Sequence, residues 1–420
     1  MYSSFEQWTG RRELASFGTN SGSAAIPFQR WRHFKEAFAP EIVYEAVSSA
    51  IGPVKSCIDP FGGSGTSALA CQFLGIEPTA IEVNPYLADL IEAKLTMYDA
   101  ERLVSDLGAV LRLAGRMNVG EQIEALPPTF VEPGVASRWL FDVEVARRIL
   151  AIGTASETLA TLSHRRLFKV LLGGILVELS NAVVNGKGRR YRRNWENRRR
   201  HVGDVDAMFA NAVSGAVGEI GRYGRRASSC YTVVRGDSRT EISGRGPFDL
   251  AVFSPPYPNS FDYTDVYNIE LWMLGYMVEA GANRALRQRT LSSHVQVHRP
   301  YAPAPTGSQN LIKALELIEL QRRQLWSPHI PAMLGAYFAE MLGILGALRS
   351  AMNPDGSIWA VVGDSRYCGV AVQVADILAE LSPTAGFKVA RLETLREMRA
   401  SAQQGGQVQL AESLLVLHRA

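Results

Sequence analysis

The sequence predicts an α/β fold: a mostly parallel sheet interrupted by a helical insertion. Three observations carry that prediction. Short β-rich segments alternate with helical stretches, the pattern left by strand–helix–strand crossovers. The long stretch Glu101–Ser229 has helical periodicity and few strand signals, whereas a crossover needs only about a dozen residues. Finally, 420 residues with 47% hydrophobic and 20% charged side chains suit one large or two ordinary domains with a sizeable core. Such a makeup excludes disorder, collagen and a disulfide scaffold.

Candidate strands are Val54–Asp59, Thr79–Glu82, Tyr231–Arg235, Leu250–Phe253, Ser357–Val362, Phe387–Leu392 and Ser413–His418. These make seven, with the last two placed to form an antiparallel edge. Residues 1–100 and 230–420 then constitute the sheet-bearing domain, and residues 101–229 a mainly helical insertion. A second irregular stretch, Arg284–Asn310, reads as an active-site loop or lid; it carries His294 and His298 and contains SSHVQVHRPYAPAPTGSQN.

The run Ile330–Leu348 is apolar and long enough to cross a bilayer. Glu340 near its middle would be costly there, so it is expected as a buried helix and no membrane is expected as a partner. The start MYSSFEQWTGRREL lacks the apolar segment of a signal peptide. Four cysteines (Cys57, Cys71, Cys230 and Cys368) show no metal-ligand spacing. Free thiols, a cytoplasmic location and no metal are the expectations.

The first chemical motif follows the first strand. Asp59-Pro60-Phe61-Gly62-Gly63-Ser64-Gly65-Thr66 opens a helix, so its glycines let the backbone turn tightly and meet a ligand at free helix N–H groups. The second strand ends in Glu82-Val83-Asn84, twenty residues beyond Gly62. An acidic group at that offset is placed to hold both hydroxyls of a ribose. A P-loop is excluded because no lysine follows the glycines. Dinucleotide and S-adenosylmethionine sites share this layout, and the turn alone does not separate them.

The second motif bears on that choice. The apolar strand Phe248–Phe253 runs into Ser254-Pro255-Pro256-Tyr257. Two consecutive prolines fix φ and remove two N–H donors, leaving free carbonyl acceptors at the sheet's carboxyl edge, where α/β ligands bind. Acceptors beside an aromatic ring suit a flat base bearing an exocyclic amino group.

Asp-Pro-Phe-Gly-Gly-Ser-Gly-Thr followed by Ser-Pro-Pro-Tyr resembles the amino-group DNA methyltransferases. These make N4-methylcytosine or N6-methyladenine with S-adenosylmethionine. The resemblance extends to Phe34–Val43, which includes Phe38 and Pro40 and is similar to the segment that closes over the cofactor's methionine part. It extends also to Asp237 and Ser238, where the family contacts adenine, and to Trp359–Ser365 with the final strand.

It implies a Rossmann-like methyltransferase sheet and base flipping, with Ser254, Pro255, Pro256 and Tyr257 as the catalytic tetrapeptide. In that family Ser254 and the Pro255 carbonyl draw the amine toward a tetrahedral nitrogen, and Tyr257 stacks on an extruded base. Serine at the tetrapeptide's head favours cytosine N4, with adenine N6 and an RNA substrate as the alternatives. A cognate restriction endonuclease or defence-system protein is the implied partner. Asp262 and Tyr263 are placed either to meet the base or to cap a helix.

Formal net charge is only +3, but its distribution is uneven. The run from Lys187 to His201 contains Arg189, Arg190, Arg192, Arg193, Arg198, Arg199 and Arg200, interleaved with Tyr191 and Trp195. Guanidinium forks match phosphates and aromatics can stack or wedge between bases, so this run is expected to contact nucleic acid. Ser254 follows Ser238 by only sixteen positions, too few for a recognition domain. Glu101–Ser229 is therefore the expected recognition region, with Arg284–Asn310 contributing.

Overall fold

A computed structural model describes residues 3–14, 16–18, 22, 25–33, 37–185, 188–399 and 409–420. At its centre stand seven strands: β1 (Ser56–Asp59), β2 (Glu77–Glu82), β3 (Thr232–Arg235), β4 (Phe248–Phe253), β5 (Met352–Gly363), β6 (Phe387–Arg399) and β7 (Gln409–Arg419). Their spatial order is β6-β7-β5-β4-β1-β2-β3. The pairs β1–β2, β2–β3, β1–β4 and β4–β5 are parallel.

All seven expected strands are present, but the last two do not simply form an edge. β7 is threaded between β5 and β6, antiparallel to both. Leu414, Leu415, Val416 and Leu417 are all buried, as a strand covered on both faces requires. β6, with Lys388, Arg391, Glu393 and Arg396, takes the polar edge instead.

The order creates the site. From β1 the chain moves outward through β2 and β3, then returns to β4 on β1's other side. Sheets of this kind bind ligands outside the carboxyl ends of the strands flanking such a reversal. Asp59 ends β1 and Ser254 follows β4, so both sequence motifs emerge at that crevice.

One face of the sheet is covered by α1 (Thr66–Leu74), α2 (Pro85–Leu95), α3 (Ala100–Ala114), α4 (Val143–Ser156), α5 (Leu162–Leu179) and α6 (Val202–Tyr223). The insertion helices α3–α6 share one continuous hydrophobic core with α1 and α2. They thicken the helical layer and do not fold apart from it. Gly173 of α5 lies against the Tyr86 ring, where an added Cβ would come within 2.5 Å. The Tyr86 hydroxyl donates to the Val170 carbonyl at 3.3 Å.

The opposite face carries α7 (Gln309–Leu320), α8 (Ile330–Ala351) and α9 (Val374–Leu381) over a second core. The apolar run is α8, with Met333, Tyr337, Phe338, Met341, Leu345 and Leu348 buried. Its central Glu340 takes Arg239 at 2.6 Å and the Ser292 N–H at 2.7 Å, tying the helix to two rim segments.

Candidate active site

The turn after β1 is built by its own side chains. Asp59 accepts the Phe61 N–H at 2.9 Å and the Ser67 hydroxyl at 2.6 Å, clamping both ends of the loop. Burial pushes its carboxyl up to about 6. A Cβ on Gly62 would approach the Ile91 side chain to 2.7 Å. Gly65 caps α1 from the left-handed region at φ +78°.

Glu82 ends β2 with one carboxylate oxygen accepting the Gly63 N–H at 2.8 Å and the other the Asn84 N–H at 2.7 Å. The carboxylate thereby joins the glycine turn to the β2 tip, and burial raises its pKa to about 7. Each oxygen keeps a lone pair for a hydroxyl donor. Asn84 itself caps α2, accepting from the Tyr86 and Leu87 N–H groups.

At the β4 edge, the Ser254 hydroxyl donates to the Tyr257 oxygen at 3.3 Å, and the Tyr257 hydroxyl donates to Glu412 at 2.7 Å. Phe61 and Phe253 meet with ring centroids 5.7 Å apart, linking the two strand ends.

A single cavity of about 360 Å³ joins these features. Its lining includes Phe38, Asp59, Pro60, Phe61, Gly62, Gly63, Thr66, Glu82, Asn84, Asp237 and Ser238, together with Ser254, Pro255, Pro256 and Tyr257. Two residues expected at the cofactor lie outside the lining. Pro40 is spent as the cap of the helix Glu41–Ser48, and Gly65 as the cap of α1. Phe34 to Glu36 lie outside the described residues. The Asp237 carboxylate is engaged by Arg239 at 2.6 Å, and the Ser238 hydroxyl donates to the Pro60 carbonyl.

Asp262 acts as a helix cap: it is buried and accepts from Thr264 and from Arg287. Tyr263 lines the cavity. The stretch Arg284–Asn310 begins inside the helix Ala280–Gln288 and ends at the start of α7. Between them an irregular segment is stitched to the rim, since Ser260 N–H donates to the Ser293 carbonyl and Gln296 to the Ser260 carbonyl. Arg289, Thr290 and Leu291 from this segment line the cavity. His294 is buried there, and desolvation lowers its pKa to about 4.

Sequence reasoning missed Arg396 on β6 and Glu412 on β7, which also line the cavity and pair at 2.5 Å. The available signal was an acidic residue immediately before an apolar strand.

The arginine run lies outside the cavity lining, and four of its seven arginines form ion pairs within the protein. Arg192 donates to the Val177 and Ser180 carbonyls and Arg198 to that of Glu178, so both satisfy the C-terminus of α5. Arg192, Arg198 and Arg200 also converge on the Glu178 carboxylate at 3.2, 2.8 and 2.7 Å. Arg199 pairs with Asp142 at 2.9 Å and Arg189 lies over the Phe130 ring; Arg189, Arg190, Arg193 and Arg199 are all exposed. Lys187 is outside the described residues. Trp195 is buried against Trp139 and Tyr191, at centroid separations of 5.0 and 5.2 Å, and does not project as a wedge. The hairpin strand Gly188–Tyr191 packs on the short helix Tyr263–Val266 at the cavity wall.

A reversal point with a glycine turn on one side, a Ser-Pro-Pro-Tyr edge on the other and one cavity between them defines a Rossmann-like S-adenosylmethionine-dependent methyltransferase. Known proteins narrow the class. The chain is similar to the Type II methyltransferase M.BsoBI of Geobacillus stearothermophilus, at 22% identity over 98% of this chain and 89% of that protein. It is similar also to the Type II methyltransferase M.AvaI of Nostoc sp., at 23% identity over 94% and 85%. The Type II methyltransferase M.MjaII of Methanocaldococcus jannaschii matches at 33% identity over 17% of this chain and 13% of its own length. No family model matches the chain.

Proposed function

We propose that this protein transfers a methyl group from S-adenosylmethionine to the exocyclic N4 of cytosine within a specific DNA sequence, the base being turned out of the helix to reach the cavity. One observation carries the reading: Glu82 with its glycine turn and the Ser254–Tyr257 edge open into the same cavity. The names of the relatives support a methyl-transfer reaction of the Type II kind.

The residues present fit the cofactor. The Glu82 oxygens have lone pairs for ribose hydroxyls, the bare Gly62–Gly63 backbone permits close approach, and Phe38, Asp237 and Ser238 complete the lining. When bound, the cofactor supplies an activated methyl group that replaces one proton on the target amine. The protein's part is to hold that amine. Ser254 and the Pro255 carbonyl accept its N–H groups, which withdraws the nitrogen lone pair from ring conjugation and frees it for attack. The Tyr257 ring holds the base by stacking, worth roughly 1–3 kcal/mol. Serine at position 254 favours cytosine. The insertion, whose hairpin reaches the cavity wall, is the proposed recognition region.

The test is nucleoside mass spectrometry on digested DNA from cells expressing the protein. N4-methylcytosine is expected, and Ser254→Ala should lower it at least tenfold. N6-methyladenine would move the target to adenine, methylated RNA alone would replace the substrate, and no methylated nucleoside from either polymer would sink the reading.

A further inference from the structure

Glu412 is a carboxylate inside a sheet, with only 5% of its side chain exposed. One oxygen accepts the Tyr257 hydroxyl at 2.7 Å and the other takes the Arg396 Nε–H at 2.5 Å. On its other side the Tyr257 oxygen lies 3.3 Å from the Ser254 hydroxyl.

The number of protons fixes the direction of this line. An ionised carboxylate only accepts, so the single proton of Tyr257 is spent on Glu412. Burial and the adjacent Glu412 charge push the phenol pKa well up, which keeps that proton in place. The Tyr257 oxygen can then only accept from Ser254, and Ser254's single proton is spent in turn. Its remaining lone pairs are left for an incoming donor. An exocyclic amine brings N–H donors, and a hydroxyl free to rotate would offer it a donor part of the time.

We propose that Glu412 is a positioning residue which, through Tyr257, fixes the Ser254 hydroxyl as a hydrogen-bond acceptor for the target amine. The inference rests on the amino-methyltransferase reading of this site. Arg396 makes it sharply testable. In Glu412→Gln, Arg396 still offers only N–H groups, so it draws the amide oxygen and turns the amide NH2 toward Tyr257. Tyr257 then accepts from residue 412 and donates to Ser254, whose proton turns outward against the amine. Tyr257→Phe cuts the line and leaves Ser254 merely free to rotate.

Single-turnover methyl transfer is to be compared in the full-length wild type, Glu412→Gln, Tyr257→Phe and the double variant. Glu412→Gln should slow transfer roughly a hundredfold with cofactor affinity within about twofold of wild type, and Tyr257→Phe at most about tenfold. The double variant should recover to the Tyr257→Phe rate, faster than Glu412→Gln alone. A wild-type rate in Glu412→Gln, or losses that multiply in the double variant, overturns the proposal.

A second readout needs no turnover. The ¹³Cζ resonance of Tyr257, assigned as the signal missing in Tyr257→Phe, should move in Glu412→Gln, and an unmoved signal overturns the proposal. A wild-type enzyme that methylates no polynucleotide refutes the proposed function, while this resonance still decides whether Glu412 orients Tyr257.

Discussion

Two regions of this molecule concentrate polar chemistry, and they use it in opposite ways. At the β1–β4 crevice, Asp59, Glu82 and Glu412 are buried yet line an open cavity. In the Arg189–Arg200 run four of the seven arginines, Arg192, Arg198, Arg199 and Arg200, are paired within the protein, on Glu178, Asp142 and the C-terminal carbonyls of α5. The crevice combines charges that sequence keeps far apart, whereas the arginine run disperses charges that sequence places side by side. Charge density along a chain is therefore a poor guide to charge available to a ligand; what decides is whether each group's partner lies inside the fold.

Trp195 gives the strongest test of this contrast. As a wedge for nucleic acid, its loss would weaken binding and spare stability. Buried at 6% exposure between Trp139 and Tyr191, it is instead the core of the small subassembly on which the arginines are mounted. Trp195→Ala should cost about 3–5 kcal/mol of unfolding free energy, the usual range for a buried aromatic. Urea denaturation measures it. A loss under about 1 kcal/mol together with weakened DNA binding would return Trp195 to the ligand side.

The same contrast explains what was legible beforehand. Strands covered on both faces, such as Phe248–Phe253, leave apolar runs in the sequence, so the inner strands stood out, while the edge strands β3 and β6 were marked by their β-rich composition. The glycine turn, Glu82 and Ser254–Tyr257 were legible because each lies at a strand's end, where turn chemistry is local. Glu412 and Arg396 were not, since their meeting with Tyr257 depends on β7 threading between β5 and β6. That pairing joins residues more than 150 positions apart. The fate of the arginines was hidden for a related reason. Their shared partner, Glu178, stands at the end of a helix whose docking position only the folded core determines.

Glu82 sharpens the crevice side of the comparison through pH. Burial raises its carboxyl to about 7 from an ordinary 4.5. Hydroxyl donors favour the ionised form, so the cofactor should bind it preferentially. Affinity should then fall about tenfold from pH 8 to pH 6, as the ionised fraction falls. Calorimetric titration in buffers of different ionisation heat should show proton release on binding near pH 7. In the unliganded protein the sign is reversed. A raised carboxyl contributes its stability below its unfolded pKa and loses it as pH rises through the folded value. Thermal stability should therefore decline between pH 5 and 7, and Glu82→Gln should flatten that decline. A flat affinity profile would show that Glu82 does not meet the cofactor.

Glu178 tests the other side, with the smallest expected effect. It is half-exposed, and three guanidinium groups converge on its carboxylate in the way they would on a phosphate. In Glu178→Gln the carbonyl bonds from Arg192 and Arg198 to the end of α5 persist, so the segment should keep its shape while its charge is released. DNA affinity should rise by about two- to fivefold, and the log–log dependence of affinity on salt should steepen by up to about one unit, the increment of one added phosphate contact. Fluorescence anisotropy across a salt series measures both. Unchanged affinity with a lowered Tm would mean that Arg192, Arg198 and Arg200 serve the fold alone, and that nucleic-acid contact must come from the exposed Arg189, Arg190, Arg193 and Arg199 or from the segment at the cavity rim.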